Sequence, residues 1–317
     1  MKPIEYSDRT ILTKLFNNAK IDISSYNFTN LYMWRKYYNL AWSVNNNILY
    51  MSCQPNATDT SFRQPLLTAL SNTDDWVVES IDYLVQYCLS NHILTLTITD
   101  ANVDYAKVIQ STYPQFSIEH TRQYDDYVYL KSDLINLSGK SYHRKMNYIR
   151  SFKREYPNYS YQRINATNID SCIQLLSAWI ESYDRLILTT PSEKLPVHYE
   201  FESVIEVIQH LDRFDTVNTG VLLINNKVIA LTLSEKLDDR TIVIHTEKAD
   251  TELVKESYAV INQLHLINEY GSDNSIIYVN RECDLGIERL RKAKTSYNPH
   301  HMVETYSLYA DISDLLR

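Results

Sequence analysis

Residues 219–280 leave the chain few ways to fold. Three apolar strands, at 219–225, 227–236 and 240–247, are joined by turns at Asn225-Asn226 and Asp238-Asp239. Short Asn and Asp turns between apolar runs signal hairpins, so the three strands form a meander. A helix over 251–269 follows, with Val254, Tyr258, Ile261, Leu264 and Ile267 at helical spacing. The strand 276–280 then stops at a polar knot of Asn280, Arg281, Glu282 and Asp284. A basic helix at 285–296 puts Ile287, Leu290, Ala293 and Tyr297 on one face; Asn298-Pro299 ends it, and strands at 302–310 close the chain. Backbone groups left unpaired at a strand end can bind ligand, and a helix start favours anions.

The first half has the same order of elements. Helices at 7–19 (capped by Ser7 or Asp8) and 28–38 precede strands at 40–45 and 47–53, parted by Asn45-Asn46-Asn47. A strand at 61–67, a helix at 74–91, a buried strand at 94–100, a helix at 102–112 and strands at 116–122 and 126–131 complete it. After a basic helix at 138–155 come a strand at 159–164, helices at 168–184 and 198–214, and the meander. This order matches the GNAT-type acyltransferase fold. The expectation is an α+β chain with mixed sheets and two GNAT-like domains in tandem: 1–131, a basic linker helix at 132–155, and 156–317. One large α+β domain is the alternative.

With 44% hydrophobic and 22% charged residues, the 317-residue chain has the composition of a soluble globular protein. It contains no run of about 20 apolar residues that could span a bilayer. MKPIEYSDRT carries no apolar signal core. Cys53, Cys88, Cys172 and Cys283 are scattered, without CxxC or Cys/His metal spacing, so reduced thiols and a cytoplasmic location are expected. A net charge of −8 argues against a nucleic-acid-coated protein but leaves room for a local basic patch. The chain has 26 tyrosines and only 4 glycines. The tyrosines suit either a strand-rich core or an aromatic groove.

Three stretches carry a resemblance: YDDYVYLKSDLINLSGKSYHRKMNYIRSFKREYP (124–157), IHTEKAD (244–250) and NRECDLGIERLRKAKTSYNPHHMVE (280–304). Together they resemble the proteins related to the C-terminal domain of phosphatidylglycerol lysyltransferase. The resemblance covers essentially the full length, and the last stretch is its most specific part. It implies a tandem GNAT fold and, by the family's better-known branch, transfer of an amino acid from aminoacyl-tRNA to a lipid head group. Two departures matter. The transmembrane portion usual in the lipid-modifying enzymes is not in this sequence, which puts a membrane substrate in doubt while allowing peripheral lipid contact. The Gly-containing turn that gives acyl-CoA enzymes backbone access to pyrophosphate is replaced by Asp250-Thr251-Glu252-Leu253-Val254-Lys255-Glu256-Ser257. Acidic residues at a helix start repel phosphate, so acyl-CoA is disfavoured as donor. Ser71-Asn72-Thr73-Asp74-Asp75 of the first half lacks the pattern too.

Two regions concentrate candidate chemistry. Between Ser138 and Arg154 lie Lys140, Arg144, Lys145, Arg150, Lys153 and Arg154, with no acid. His143, Asn147, Arg150 and Arg154 share one helix face; Tyr142, Met146, Ile149 and Phe152 share the opposite one. The polar face either binds a polyanion, tRNA or another phosphate-bearing ligand, or pairs with acidic neighbours. The second region is the pair of strand ends at Thr246-Glu247-Lys248 and Asn280-Arg281-Glu282. The resemblance implies that these strands splay apart to admit substrate. Glu247 or Glu282 would then be the general base, with Asn280, Arg281 and Lys248 binding substrate. Equally, Glu247/Lys248 and Arg281/Glu282 could be ion pairs that lock strands to helices. Tyr297 is a general-acid candidate by the resemblance, or simply core. His300-His301, pointing to opposite faces of a strand, are expected not to share a metal. No metal or cofactor is expected. The function expected is acyl or aminoacyl transfer, most simply from aminoacyl-tRNA, to an amine or hydroxyl. A non-catalytic module holding an anionic ligand and an acyl-CoA-dependent N-acyltransferase are the alternatives.

Overall fold

A computed structural model of the chain describes residues 1–19, 22–54, 66–70, 76–186 and 191–317. It divides into two units, Met1–Asp125 with Val303–Arg317, and Asp126–Met302. Each has one seven-stranded mixed sheet with helices packed on it. The fold is thus α+β, and each unit has the GNAT-like arrangement: an antiparallel meander, a helix, then a parallel strand that parts from the meander.

In the first unit the sheet order is β1 (Lys2–Pro3), β2 (Ala41–Asn45), β3 (Ile48–Cys53), β4 (Leu66–Leu70), β5 (Thr95–Ala101), the chain's last strand β14 (Tyr306–Asp311), and β6 (Ser117–His120). Strands β2 to β4 are antiparallel and β5 joins β4 in parallel. Asn46 and Asn47 take φ of 48° and 63° at the β2–β3 turn, the left-handed region that Asn tolerates and a two-residue hairpin needs. The helices are α1 (Arg9–Ala19), α2 (Phe28–Trp34), α3 (Trp76–Ser90), α4 (Val103–Thr112) and α11 (Ile312–Leu315). Val77, Ile81, Leu84, Val85 and Cys88 of α3 are all buried, as their spacing requires. Of the strand expected at 61–67, residues 61–65 lie outside the described residues, as does Ser71–Asp75.

In the second unit the order is β13 (His301–Val303), β7 (Asp126–Leu130), β12 (Tyr278–Asn280), β11 (Thr241–Ala249), β10 (Lys227–Lys236), β9 (Asn218–Ile224) and β8 (Tyr159–Gln162). The helices are α5 (Lys131–Asn136), α6 (His143–Glu155), α7 (Ile169–Leu186), α8 (Pro191–Gln209), α9 (Ser257–Tyr270) and α10 (Glu288–Thr295). Helix α9 packs on β9, β10 and β11 beneath α5 and α6, and most of its circumference is buried.

Several expectations need correction. The division is not 1–131, 132–155 and 156–317. Strand β7 pairs with β12 of the second unit, and β14 pairs with β5 and β6 of the first, so one strand from each half completes the other half's sheet. The basic helix, expected as a linker, is an integral helix of the second unit. Helix α9 starts at Ser257, not 251; Val254 is buried from the turn that precedes it, and Ile267 is exposed. In α10, Ala293 is exposed and Lys294 is buried in its place, because the Lys294 ammonium donates to the carbonyl oxygens of Arg281 and Glu282.

Candidate functional site

The site grows from a split in the second sheet. Strands β11 and β12 pair in parallel through three positions only, Thr241, Ile242 and Val243 against Tyr278, Val279 and Asn280. Beyond them β11 runs on to Ala249 beside β10, while the chain after Asn280 turns away. Glu282 takes φ of 57°, Leu285 52° and Gly286 74°. Left-handed backbone at a non-glycine residue costs energy and needs support. Here the Glu282 N–H donates to Asn280 Oδ1 at 2.7 Å, and the Glu282 carbonyl accepts from the Tyr127 N–H at 3.2 Å and from Lys294 Nζ at 3.0 Å. Asp284 is fixed as firmly: Tyr127 Oη donates to it at 2.6 Å, and Arg291 holds it with Nε at 2.8 Å and Nη2 at 3.0 Å.

Two pairs cross this split, Arg281 with Glu247 and Glu282 with His245, while Lys248 and Asn280 find partners elsewhere. Arg281 pairs with Glu247, which also accepts from Asn262 Nδ2 of α9 at 2.9 Å. Lys248 pairs with Glu200 of α8 at 2.9 Å and lies 4.1 Å over the Trp179 ring. Glu282 meets His245, whose Nδ1 is 3.1 Å from Glu282 Oε1 and whose Nε2 is 3.0 Å from Glu235 Oε1. Asn280 is fully buried and donates to Asp126 Oδ2 at 2.8 Å, so its side chain holds the strand end rather than facing a ligand.

His245 was invisible to sequence periodicity for a physical reason. Leu233 registers with Thr246 but Ser234 with Ile244, so His245 is the extra residue of a bulge, and alternation fails there. With a carboxylate on each ring nitrogen, both nitrogens donate and the ring is a cation. Burial pulls its pKa down, but the hydrogen bonds and charges of Glu235 and Glu282 outweigh that and raise it to about 9.

Arg281 lies between two tyrosine rings, 4.9 Å from the Tyr297 centroid and 5.8 Å from that of Tyr129. Tyr297 is buried in the core cluster, and burial pushes its hydroxyl up to about 12. Lys145 Nζ of α6 sits 4.0 Å over the same Tyr297 ring. The sequence did carry a signal for Lys145: Tyr142, Lys145, Ile149 and Phe152 follow the i, i+3, i+7 stripe of the inner face. His143, Asn147, Arg150 and Arg154 are all exposed on the outer face, away from that stripe. Among the described residues, the exposed cations Lys140, Arg144, Arg150, Lys153 and Arg154 have no carboxylate within ion-pair distance.

His300 precedes strand β13 rather than lying in it, so the two histidine rings meet, with their Nδ1 atoms 2.8 Å apart, instead of pointing to opposite faces. Among the described residues no group of three His, Cys, Asp or Glu is placed to hold a metal ion, and no helix is long and apolar enough to cross a membrane.

Comparison with known proteins gives this architecture a context. No functionally curated protein shows detectable sequence similarity to the chain. A conserved protein of unknown function from Bacteroides thetaiotaomicron is 26% identical, with 98% of this chain and 99% of that one covered and a TM-score of 0.85. The C-terminal domain of a protein assigned as a lysylphosphatidylglycerol synthetase from Agrobacterium fabrum shares the fold at 8% identity, covering 98% and 96% of the two chains with a TM-score of 0.62. L-PGS from Bacillus licheniformis does so at 11% identity, 87% coverage of both chains and a TM-score of 0.57. The family model for the C-terminal part of phosphatidylglycerol lysyltransferase matches residues 16–309, and the chain belongs to that family.

Proposed function

We propose that the chain is an aminoacyl transferase that takes an activated aminoacyl group from aminoacyl-tRNA and passes it to an amine or hydroxyl acceptor. The observation that carries this reading is the outer face of α6, whose exposed cations have no acidic partner in the described protein. Like charges packed on one helix repel, and a polyanionic ligand relieves that cost. Acyl-CoA suits the chain less well. The turn before α9 contains no glycine, and α9 starts behind the acidic Glu256.

In this reading the acceptor enters the split between β11 and β12. Its nitrogen or oxygen attacks the ester carbonyl carbon, a new C–N or C–O bond forms, and the bond to the tRNA 3′ oxygen breaks. Glu282 takes the acceptor's proton, oriented by His245 at 3.1 Å; its side chain keeps 20% of its surface exposed. Glu247 has both oxygens engaged, by Arg281 and Asn262, and serves to hold Arg281. Tyr297, protonated at neutral pH, returns a proton to the departing oxygen. Lys248, next to Glu247 on β11, is held by Glu200 of α8 instead.

The test is direct. Bulk tRNA binding, followed by fluorescence anisotropy, should weaken steeply with salt. Arg150→Ala with Arg154→Ala should lower both the affinity and the salt slope, the slope by about 2. Salt-insensitive binding, unchanged in the double variant, would remove the tRNA donor. Glu282→Gln should keep tRNA binding and lose aminoacyl transfer by about 100-fold or more.

A further inference from the structure

We propose that Arg281 and Lys145 flank an oxyanion subsite for a phosphate group, built against the Tyr297 ring at the split of the second sheet. This deepens the transfer reading by giving the same cleft a substrate class, and rests on that reading only for the ligand's origin.

Three observations converge. First, Arg281 gives one terminal nitrogen to Glu247, while Nη1 is buried and has no hydrogen-bond partner among the described residues. An unsatisfied buried donor on a guanidinium is costly and signals a missing acceptor. Second, a second cation, Lys145, lies over the same Tyr297 ring, and no described carboxylate pairs with it. Burial, with repulsion from Arg281 and Arg144, lowers its pKa to about 8. Third, among the described residues Glu247 is the one acid paired with this cluster, so two cations face a single described carboxylate. A neighbouring tyrosine cannot make up the difference, since burial keeps Tyr129 and Tyr297 neutral. Arginine with lysine beside an aromatic ring suits a phosphate better than another carboxylate, because the phosphate offers more acceptor oxygens and more charge.

The probe is inorganic phosphate, titrated calorimetrically at fixed ionic strength. Wild type should bind, sulfate should compete, and acetate should not. Lys145→Met should weaken binding at least tenfold and Lys145→Arg should restore most of it. Arg281→Gln alone would strand Glu247, so Arg281 is tested together with Glu247→Gln, which should also lose at least tenfold. In parallel, side-chain NMR should find Lys145 titrating near pH 8 without phosphate and distinctly higher with it. Phosphate binding that is equal in Lys145→Met, matched by acetate, or absent from wild type would overturn the subsite. Loss of binding in Lys145→Met, with no aminoacyl transfer by any form, would instead keep the subsite and remove the transfer reading.

Discussion

The two units solve the same geometric problem differently. Each has a parallel strand that parts from a meander, and the gap must be lined. In the second unit it is lined by ions: Arg281 with Glu247, and His245 between Glu235 and Glu282. In the first, among the described residues, aromatic rings dominate. There β4 and β5 register at one pair, Leu67 with Ile98. Tyr26 Oη donates to the Asp100 carbonyl at 2.7 Å, and Trp76 stacks on Tyr105 at 4.7 Å. The carboxylate there, Asp100, has no described cationic partner, and burial raises its pKa to about 6. An aromatic gap gains stability from area; a gap of buried charges gains little, because desolvation offsets the attraction.

The comparison can be broken most sharply at Arg281. Either Arg281→Gln or Glu247→Gln leaves a buried charge unpaired and should cost about 3–5 kcal/mol in chemical denaturation, whereas the double variant should recover most of that. A purely additive result would mean that the pair is not coupled.

The His245 triad should show next, in the pH dependence of stability. Its folded pKa of about 9 lies above the ordinary 6.5, so its contribution is full at low pH and is lost as pH rises through 9. The loss should reach on the order of 3 kcal/mol, and His245→Gln should flatten that slope. A wild-type curve flat from pH 6 to 9.5 would contradict the doubly bonded cation.

Asp100 is the smaller effect. Its raised pKa favours the folded state at low pH, and that benefit is lost as pH rises through about 6. Asp100→Asn keeps a side chain that tolerates φ of 54° and should stabilise the protein by on the order of 2 kcal/mol at pH 8, with little change at pH 4. No gain at pH 8 would show that the first gap solvates its carboxylate as well as the second.

Much of this molecule was legible along the chain. Helical spacing located α3 and the inner face of α6, and the Asn pairs located hairpins, because those signals are local and each residue's neighbours decide them. The strand-end cluster was legible too: Glu247, Arg281 and Glu282 do gather at one split. Their pairing was not. Sequence neighbours suggested Arg281 with Glu282, yet the left-handed backbone at Glu282 turns it to His245 and leaves Arg281 for Glu247. The strand exchange was equally hidden, since β7 and β14 read the same whichever sheet receives them. Elements, family and the charge of the basic helix were readable along the chain, because they are properties of short windows. Which sheet each exchanged strand joins, which acid meets which base, and that Lys145 and Arg281 share a ring emerge only on folding. The strand exchanges and the Lys145–Tyr297 contact join residues more than 100 apart in the chain, and the ion pairs join different elements, so no local pattern encodes them.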